Sequence, residues 1–504
     1  MRAGEQPAKY GRGRLAIAVA GLAILMPALD STAVTVALPS IERDLGVPLS
    51  VLQWVLTAYL IAAAACVIPL GRLADRIGHR RCFLGSLVVF GLASAACGLA
   101  SEAVSLVAAR FVQGVGAGGI LALSFVLVRR TTARERFGRA NAVLGVLSAV
   151  GVALGPLLGG FLSETLDWRW IFLVNVPLTV IAVGIGRAGL PAWPGQPALR
   201  VRPAIAIVFA AAAGTILLGL IEADRWTSAT TIIVVTGGLG VSAAAIAWDT
   251  RNERSLFDPT LFRRGTFSAA TIAAIASYGT LFGLLFVLSI SFQSLDGDSP
   301  LLAGLKLLPY SLAFMLVAPQ AGRHVDQMGP GVPMIVGLLV VGLASGALVA
   351  AAGLPDLLAL GVVTLYGIGQ ASVMSGITPA ALHGVPDAAT GAATAITVTA
   401  RYLGAALGVA LSGAIYQAIE RNRSDELADA AAGHFLPAER AEVQELLIHA
   451  PRAQGHLDRL SVHDAREVLF VAKQVFAAGV DAVMGVIALA ALAAALAVAV
   501  LVRR

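Results

Sequence analysis

Gly71-Arg72-Leu73-Ala74-Asp75-Arg76-Ile77-Gly78-His79-Arg80-Arg81 is a glycine-bounded, strongly basic segment between two apolar runs. Each flanking run is long enough to cross a bilayer, so the segment reads as a short loop at one membrane face. A weaker copy returns at Gly322-Arg323-His324-Val325-Asp326-Gln327-Met328-Gly329, with Gly, Arg, Asp and Gly at the same relative places. One pattern used twice predicts two related halves.

The composition points the same way. Of 504 residues, 58% are hydrophobic and 13% charged, and the mean hydropathy is +0.83. A soluble globular domain carries about a quarter charged residues, so the sequence reads as an integral membrane protein. The 54 glycines suit close helix packing in lipid. The net charge of +6 is no nucleic-acid footprint, because the cations fall in short loops between apolar spans. Cys66, Cys82 and Cys97 lack C-x-x-C spacing, and neither a disulfide nor a metal site is expected. The basic N-terminal flank and its apolar run read as a retained first span rather than a signal peptide, since no cleavage site followed by a soluble domain is present.

Apolar runs of about 20 residues fall near 15–38, 51–70, 82–100, 104–128, 140–163 and 171–190, then 204–222 and 229–248, then 267–291, 301–320, 332–352, 357–377, 388–418 and 474–502. The expected fold is therefore an all-α membrane protein with fourteen spans. Residues 1–195 form a six-span bundle, 196–260 hold two additional spans, and 261–504 form a second six-span bundle with an outer loop at 420–473.

Arginine placement orients it. Arg72, Arg76, Arg80, Arg81, Arg129, Arg130, Arg187, Arg263 and Arg264 share one side, whereas the opposite short loops carry Glu42, Asp44, Glu102, Glu164, Asp296 and Asp298. Both termini are expected to be cytoplasmic. His434, His449, His456 and His463 all fall in the outer loop, but Pro451 and Gly455 break the helix that would align them into a metal site.

The chain contains no Gly-Lys pair, so it lacks the phosphate-cradling loop of a nucleotide-driven pump. No cofactor is expected; an ion gradient would supply the energy. One proton moving down a membrane potential releases about 2.3 kcal/mol per 100 mV, enough for roughly a fifty-fold substrate gradient.

The residue best placed to handle a proton is Asp30, inside the first span. A carboxylate there costs about 2.5 to 3.5 kcal/mol, so it requires a partner or a proton. Arg110 in the fourth span reaches a similar depth by helix rise and is the expected partner; the alternative role is a static pair that fixes packing. In the fifth span, Gly151, Gly155, Gly159 and Gly160 with Pro156 form a G-x-x-x-G-P-x-x-G-G string. Its glycines make a smooth ridge for a neighbouring helix, and its proline bends the span. Candidate cavity-lining residues are Trp54, Tyr59, Gln113, Asn175, Tyr278, Phe282, Phe286, Met315, Gln370 and Met374, which offer aromatic or polarizable surface with sparse polar groups. Arg401 lies near the middle of the thirteenth span.

These motifs resemble those of the major facilitator superfamily, whose signature loop reads G-x-L-A-D-R-x-G-R-[KR], and within it the fourteen-span drug:proton antiporters. The Leu29–Pro39 run around Asp30, the Gln53–Leu60 run, the Gly71 segment, Arg110, the Gly151 string and the Asp167–Pro177 run occur in the family's order. The resemblance implies an inner-membrane, multi-pass, monomeric antiporter that exports small amphipathic organic compounds through the lipid bilayer in exchange for protons. It implies that Gly71, Arg72, Asp75, Arg76, Gly78, Arg80 and Arg81, with Asp326 in the second copy, form a gating charge relay. It also implies that the Gly151 string favours exchange over leak. The acids some multidrug members carry in the second bundle are missing from 267–291, 301–320 and 388–418, which argues against a strong preference for cationic drugs. A symporter or single-metabolite exporter on the same scaffold, and a non-transporting lipid- or signal-binding protein, are the rival readings.

Overall fold

In lipid an apolar run satisfies its backbone hydrogen bonds internally as an α-helix, and the computed structural model shows no strand among its described residues. The structure describes residues 6–132, 134–195, 203–223, 226–250, 259–294, 296–350, 356–386, 389–431 and 462–503. The first group of helices comprises α1 (Gln6–Leu45), α2 (Leu49–Ile77), α3 (His79–Gly98), α4 (Ala103–Thr131), α5 (Arg134–Thr165), α6 (Trp170–Leu173) and α7 (Asn175–Gly189). A hairpin of α8 (Pro203–Ile221) and α9 (Ser228–Thr250) follows. The second group is α10 (Gly265–Ser294), α11 (Pro300–Lys306), α12 (Leu308–Met328), α13 (Gly331–Ala350), α14 (Asp356–Leu382), α15 (Thr390–Ala431) and α16 (Val462–Val502).

Two spans are broken, and both breaks have a local cause. Pro177 offers no N–H to the Leu173 carbonyl, and Pro309 none to Leu305, so α6 gives way to α7 and α11 to α12 just before each proline. Counting each broken pair as one, thirteen helices among the described residues are long and apolar enough to cross a membrane. The expected span at 204–222 falls on α8, whose described apolar part, Ile207–Ile221, is shorter. In the first group α1 packs on α5, and α2 and α3 on α4; in the second α10 packs on α15, and α13 on α14 and α16. The α8–α9 hairpin rests through α8 on α2 and α15.

The Gly71 segment is not a loop. Residues 71–77 are the last two turns of α2, and α3 begins at His79, leaving Gly78 as the whole connection. Nothing between Leu73 and Ile77 disfavours helix, so the chain turns only at Gly78, whose φ of +100° is costly for any residue with a Cβ. Gly329, at φ +78°, makes the equivalent corner between α12 and α13. The internal repeat is thus a helix–glycine–helix corner carrying charges on its flanking turns. A Cβ on Gly78 would also stand 2.6 Å from the Trp193 carbonyl oxygen, because the segment after α7 lies against this corner.

In the region expected to be an outer loop with helical stretches, 420–473, the described ends are helical: α15 continues to Ala431 and α16 starts at Val462. His434, His449 and His456 lie outside the described residues.

Candidate functional site

Three side chains in the first group of helices converge on one buried carboxylate. Asp30 of α1 and Arg110 of α4 are both fully buried, and Arg110 Nη1 donates to Asp30 Oδ2 at 2.6 Å. The second carboxylate oxygen accepts from Gln113 Nε2 at 3.1 Å and from Asn175 Nδ2 at 3.1 Å. Both amides also reach Ser94 Oγ, at 3.0 and 3.1 Å, and Ser94 donates to the Phe172 carbonyl at 2.8 Å. Gln113 Oε1 in turn accepts from Arg110 Nη1 at 2.6 Å. Such a cluster tolerates burial because nearly every acceptor on the carboxylate is matched by a donor.

Helical periodicity supplies these groups. Arg110 and Gln113 are three residues apart on α4 and so share a face. Asn175 opens α7 at the Val174 break, which turns its side chain inward onto Asp30. The guanidinium is held on its other sides by α2: Nε donates to the Val55 carbonyl at 2.9 Å, and Cζ lies 4.1 Å from the centroid of the Tyr59 ring. Cation–π contact of this kind strengthens when the cation is desolvated. Arg110 Nη2 and Asn175 Oδ1 are buried and have no partner. The cluster therefore keeps one donor and one acceptor without a partner among the described residues beside the ion pair.

The glycine ridge of α5 faces this same α1. A Cβ at Gly151 would stand 2.8 Å from Ala28 Cβ, and one at Gly159 would be 2.9 Å from Ala33 Cα. Gly155 leaves room for the Thr32 hydroxyl, which a Cβ there would overlap. Thr32 Oγ1 lies 3.2 Å from the Val152 carbonyl oxygen, and Val152 is four residues before Pro156, so its carbonyl has lost its helical partner. The hydroxyl of α1 thus caps the proline bend of α5, two residues from Asp30. Thr32→Val keeps the side-chain shape but leaves that carbonyl buried and unpaired. The expected cost is about 1–3 kcal/mol, read as a lower unfolding temperature of the purified protein in detergent.

Gly160 points elsewhere. One residue beyond Gly159, it is rotated by about 100°, and a Cβ there would be 2.9 Å from the Pro300 carbonyl carbon, on α11 of the second group. The Pro156 carbonyl oxygen meets Gly304 of α11 in the same way. Hydrogen bonds between the two groups gather nearby: Leu301 N donates to Glu164 Oε2 at 2.8 Å and Gln293 Nε2 to the Val36 carbonyl at 2.8 Å. A third, from Thr399 Oγ1 to the Ala64 carbonyl at 3.3 Å, lies nearer mid-depth. These hydrogen bonds between the two groups of helices therefore lie at the end remote from Gly78 and near mid-depth.

At the Gly78 end, Asp75 lies 3.3 Å from His79 Nε2 across the corner, and Arg80 donates to the Arg187 carbonyl at the end of α7. Arg72, Arg76 and Arg81 are exposed on the flanking turns. No atom lies within 4 Å of a Cβ placed on Gly71, and Asp326 is exposed on α12.

The remaining candidates divide by location. Tyr59, Gln113 and Asn175 belong to the Asp30 cluster. Gln370 is buried in the second group, donating to the Ser277 carbonyl at 2.6 Å and accepting from Ser277 Oγ at 2.8 Å, a tie between α14 and α10. Phe282 and Phe286 are buried in α10. Trp54, Tyr278, Met374 and Arg401 are partly buried, and Met315 is exposed. Sequence reasoning missed Ser94 and Thr32, because one hydroxyl in an apolar helix carries no signal of its own. It placed Asp44 only among the outer acids and missed its contacts: Asp44 pairs with Arg169 at 2.9 Å and accepts from Trp168 Nε1 at 3.2 Å, which ties α1 to the Asp167 run.

A sequence profile of the Major Facilitator Superfamily matches residues 20–409. The chain belongs to this superfamily. Over 453 residues it is 30% identical to the multidrug resistance protein Stp of Mycobacterium tuberculosis, covering 88% of this chain and 83% of that protein. It is 32% identical over 426 residues to the tetracenomycin C resistance and export protein of Streptomyces glaucescens, covering 81% and 77%. In fold it is similar to the inward-facing, occupied bacterial homologue of the human lysosomal transporter Spinster, with TM-score 0.66, 14% identity and coverage of 99% and 98%. This major facilitator transporter is a multi-pass protein of the inner membrane.

Proposed function

We propose that the protein is a proton-coupled antiporter that exports small amphipathic organic compounds, working as a monomer and without a cofactor. The observation that carries this reading is the fully buried Asp30–Arg110 pair and the amides around it. A buried ionisable pair in a membrane span is expensive, and such groups are typically part of ion pathways. Asp30 takes a proton from the outer side; Arg110, no longer neutralised, draws on the Gln113 and Val55 oxygens and the Tyr59 face; and α1 moves against α5. Relatives named for drug resistance and export support the direction of transport.

In the proposed topology both termini are cytoplasmic and α8 is the additional span that completes fourteen. The bundles at 1–195 and 261–504 then rock about the mid-depth plane. The contacts of Gly160, Glu164 and Gln293 would close the outer end in the present state, and the charged corners at Gly78 and Gly329 would meet the opposite bundle when the inner end closes.

The test is reconstitution into proteoliposomes with an imposed pH gradient. Accumulation of an amphipathic dye against its gradient, abolished by a protonophore and accompanied by proton release, is the expected result. Dye movement unchanged by the protonophore, or coupled to proton flow in the same direction, would replace antiport with uniport or symport.

A further inference from the structure

The two central arginines are built differently. Arg110 has its carboxylate, whereas Arg401 has none among the described residues. Arg401 occupies the twelfth position of the apolar part of α15, Thr390–Ile419, which places it near mid-membrane, where an arginine costs about 2.5–3.5 kcal/mol. Its Nη2 donates to Thr378 Oγ1 of α14 at 2.7 Å. Its Nε is buried with no hydrogen-bond partner. Lys306 pairs with Asp296 and Asp298 at one helix end of the second group, and among the described residues no carboxylate pairs with Arg401.

One aromatic ring lies beside this cation. Arg401 Cζ lies 5.7 Å from the Tyr278 ring centroid. The next residue, Tyr402, meets Tyr59 edge-on across the two helix groups with ring centroids 6.5 Å apart, and Tyr59 carries Arg110 on its face. The backbone beneath is fixed: a Cβ on Gly404 would stand 2.7 Å from Ile275 Cα, so α15 cannot slide on α10 without separating from it. A partly buried guanidinium whose Nε–H is buried without a partner, held beside the Tyr278 ring, is complementary to a flat aromatic frame bearing one negative oxygen group.

We infer that Arg401 is the anion-binding element of the substrate site, and that the transported compounds are aromatic amphiphiles carrying a carboxylate or an ionised phenol. The inference rests on the transport reading above and narrows its substrate class. The acidic group accepts from the Nε edge of Arg401 while the ring system lies along Tyr278 and Tyr402. The second group then holds substrate and the first holds the proton, with the Tyr59–Tyr402 contact between them.

The test uses anthracene carboxylate and its uncharged methyl ester, with binding to the purified full-length protein followed by fluorescence. Wild type should bind the carboxylate on the order of tenfold more tightly or better, the effect of one charge-assisted hydrogen bond. Arg401→Gln should remove that preference, lowering carboxylate affinity to about that of the ester. Arg401→Lys, which keeps the charge and loses the fork, should retain part of the preference, and it serves as the comparison if Arg401→Gln does not fold. Equal wild-type affinity for the two compounds overturns the inference, as does a preference undiminished in either variant. The same pair is then tested in proteoliposomes. A carboxylate preference in binding with no proton-driven movement of either compound would remove the proposed transport reaction and leave the anion site standing.

Discussion

Asp30→Asn is expected to abolish proton-driven export while leaving a protein that still inserts and binds substrate. The carboxylate accepts from three donors, Arg110 Nη1, Gln113 Nε2 and Asn175 Nδ2. An amide of the same shape offers one oxygen and one NH2, so one side of the cluster then meets a donor with a donor. Asn175 can relieve this by turning its amide, because its Oδ1 has no partner at present. The fold is therefore retained at reduced stability, but position 30 can no longer gain or lose a proton. Export should fall to the background of cells lacking the protein, whereas exchange of labelled for unlabelled substrate, which needs no net proton movement, should persist. Normal export by this variant would remove Asp30 from the coupling scheme.

Arg110 tests the same pair from the other side. Arg110→Met leaves a carboxylate buried without its cation, and breaking a buried pair in this way costs about 3–5 kcal/mol. Adding Asp30→Asn to Arg110→Met should recover much of that stability, because removing both charges also removes the desolvation penalty. The sign of this double-mutant coupling, read from unfolding midpoints in detergent, separates a charge-compensated pair from two residues that merely pack.

Gly159→Ala is the second large effect. A Cβ there overlaps the Ala33 carbonyl oxygen and comes within 2.9 Å of Ala33 Cα. Both are backbone atoms of α1, so no side chain can move aside and the two helices must separate. Lipid supplies no hydrophobic drive to hold them, and close van der Waals contact is most of what joins them. The separation also draws Thr32 away from the Val152 carbonyl and shifts α1 at Asp30. Expression and export should both drop sharply. Gly145→Ala, in the same helix but with nothing within 4 Å of its Cβ, should be tolerated or gain about 0.5–1 kcal/mol in helix preference. Equal behaviour of the two variants would mean that the ridge carries no packing load.

The membrane class, the positions of thirteen spans, the repeated glycine corner and the meeting of Asp30 with Arg110 were legible from the sequence alone. Long apolar runs have only the helix available in lipid, and a charge inside such a run is conspicuous because it is costly. Neutral polar residues give no comparable signal. Gln113 and Asn175 looked like cavity lining, and Ser94 like nothing at all, because an amide or hydroxyl in a span serves packing as readily as chemistry. Only the tertiary structure placed the three around one carboxylate. It also decided that Gly151, Gly155 and Gly159 face α1 while adjacent Gly160 faces the other bundle, and that the charged Gly71 segment is two helix ends joined at Gly78. Local sequence sets whether a residue is helical and how deep it lies. The direction its side chain takes acquires meaning only from the helix packed against it.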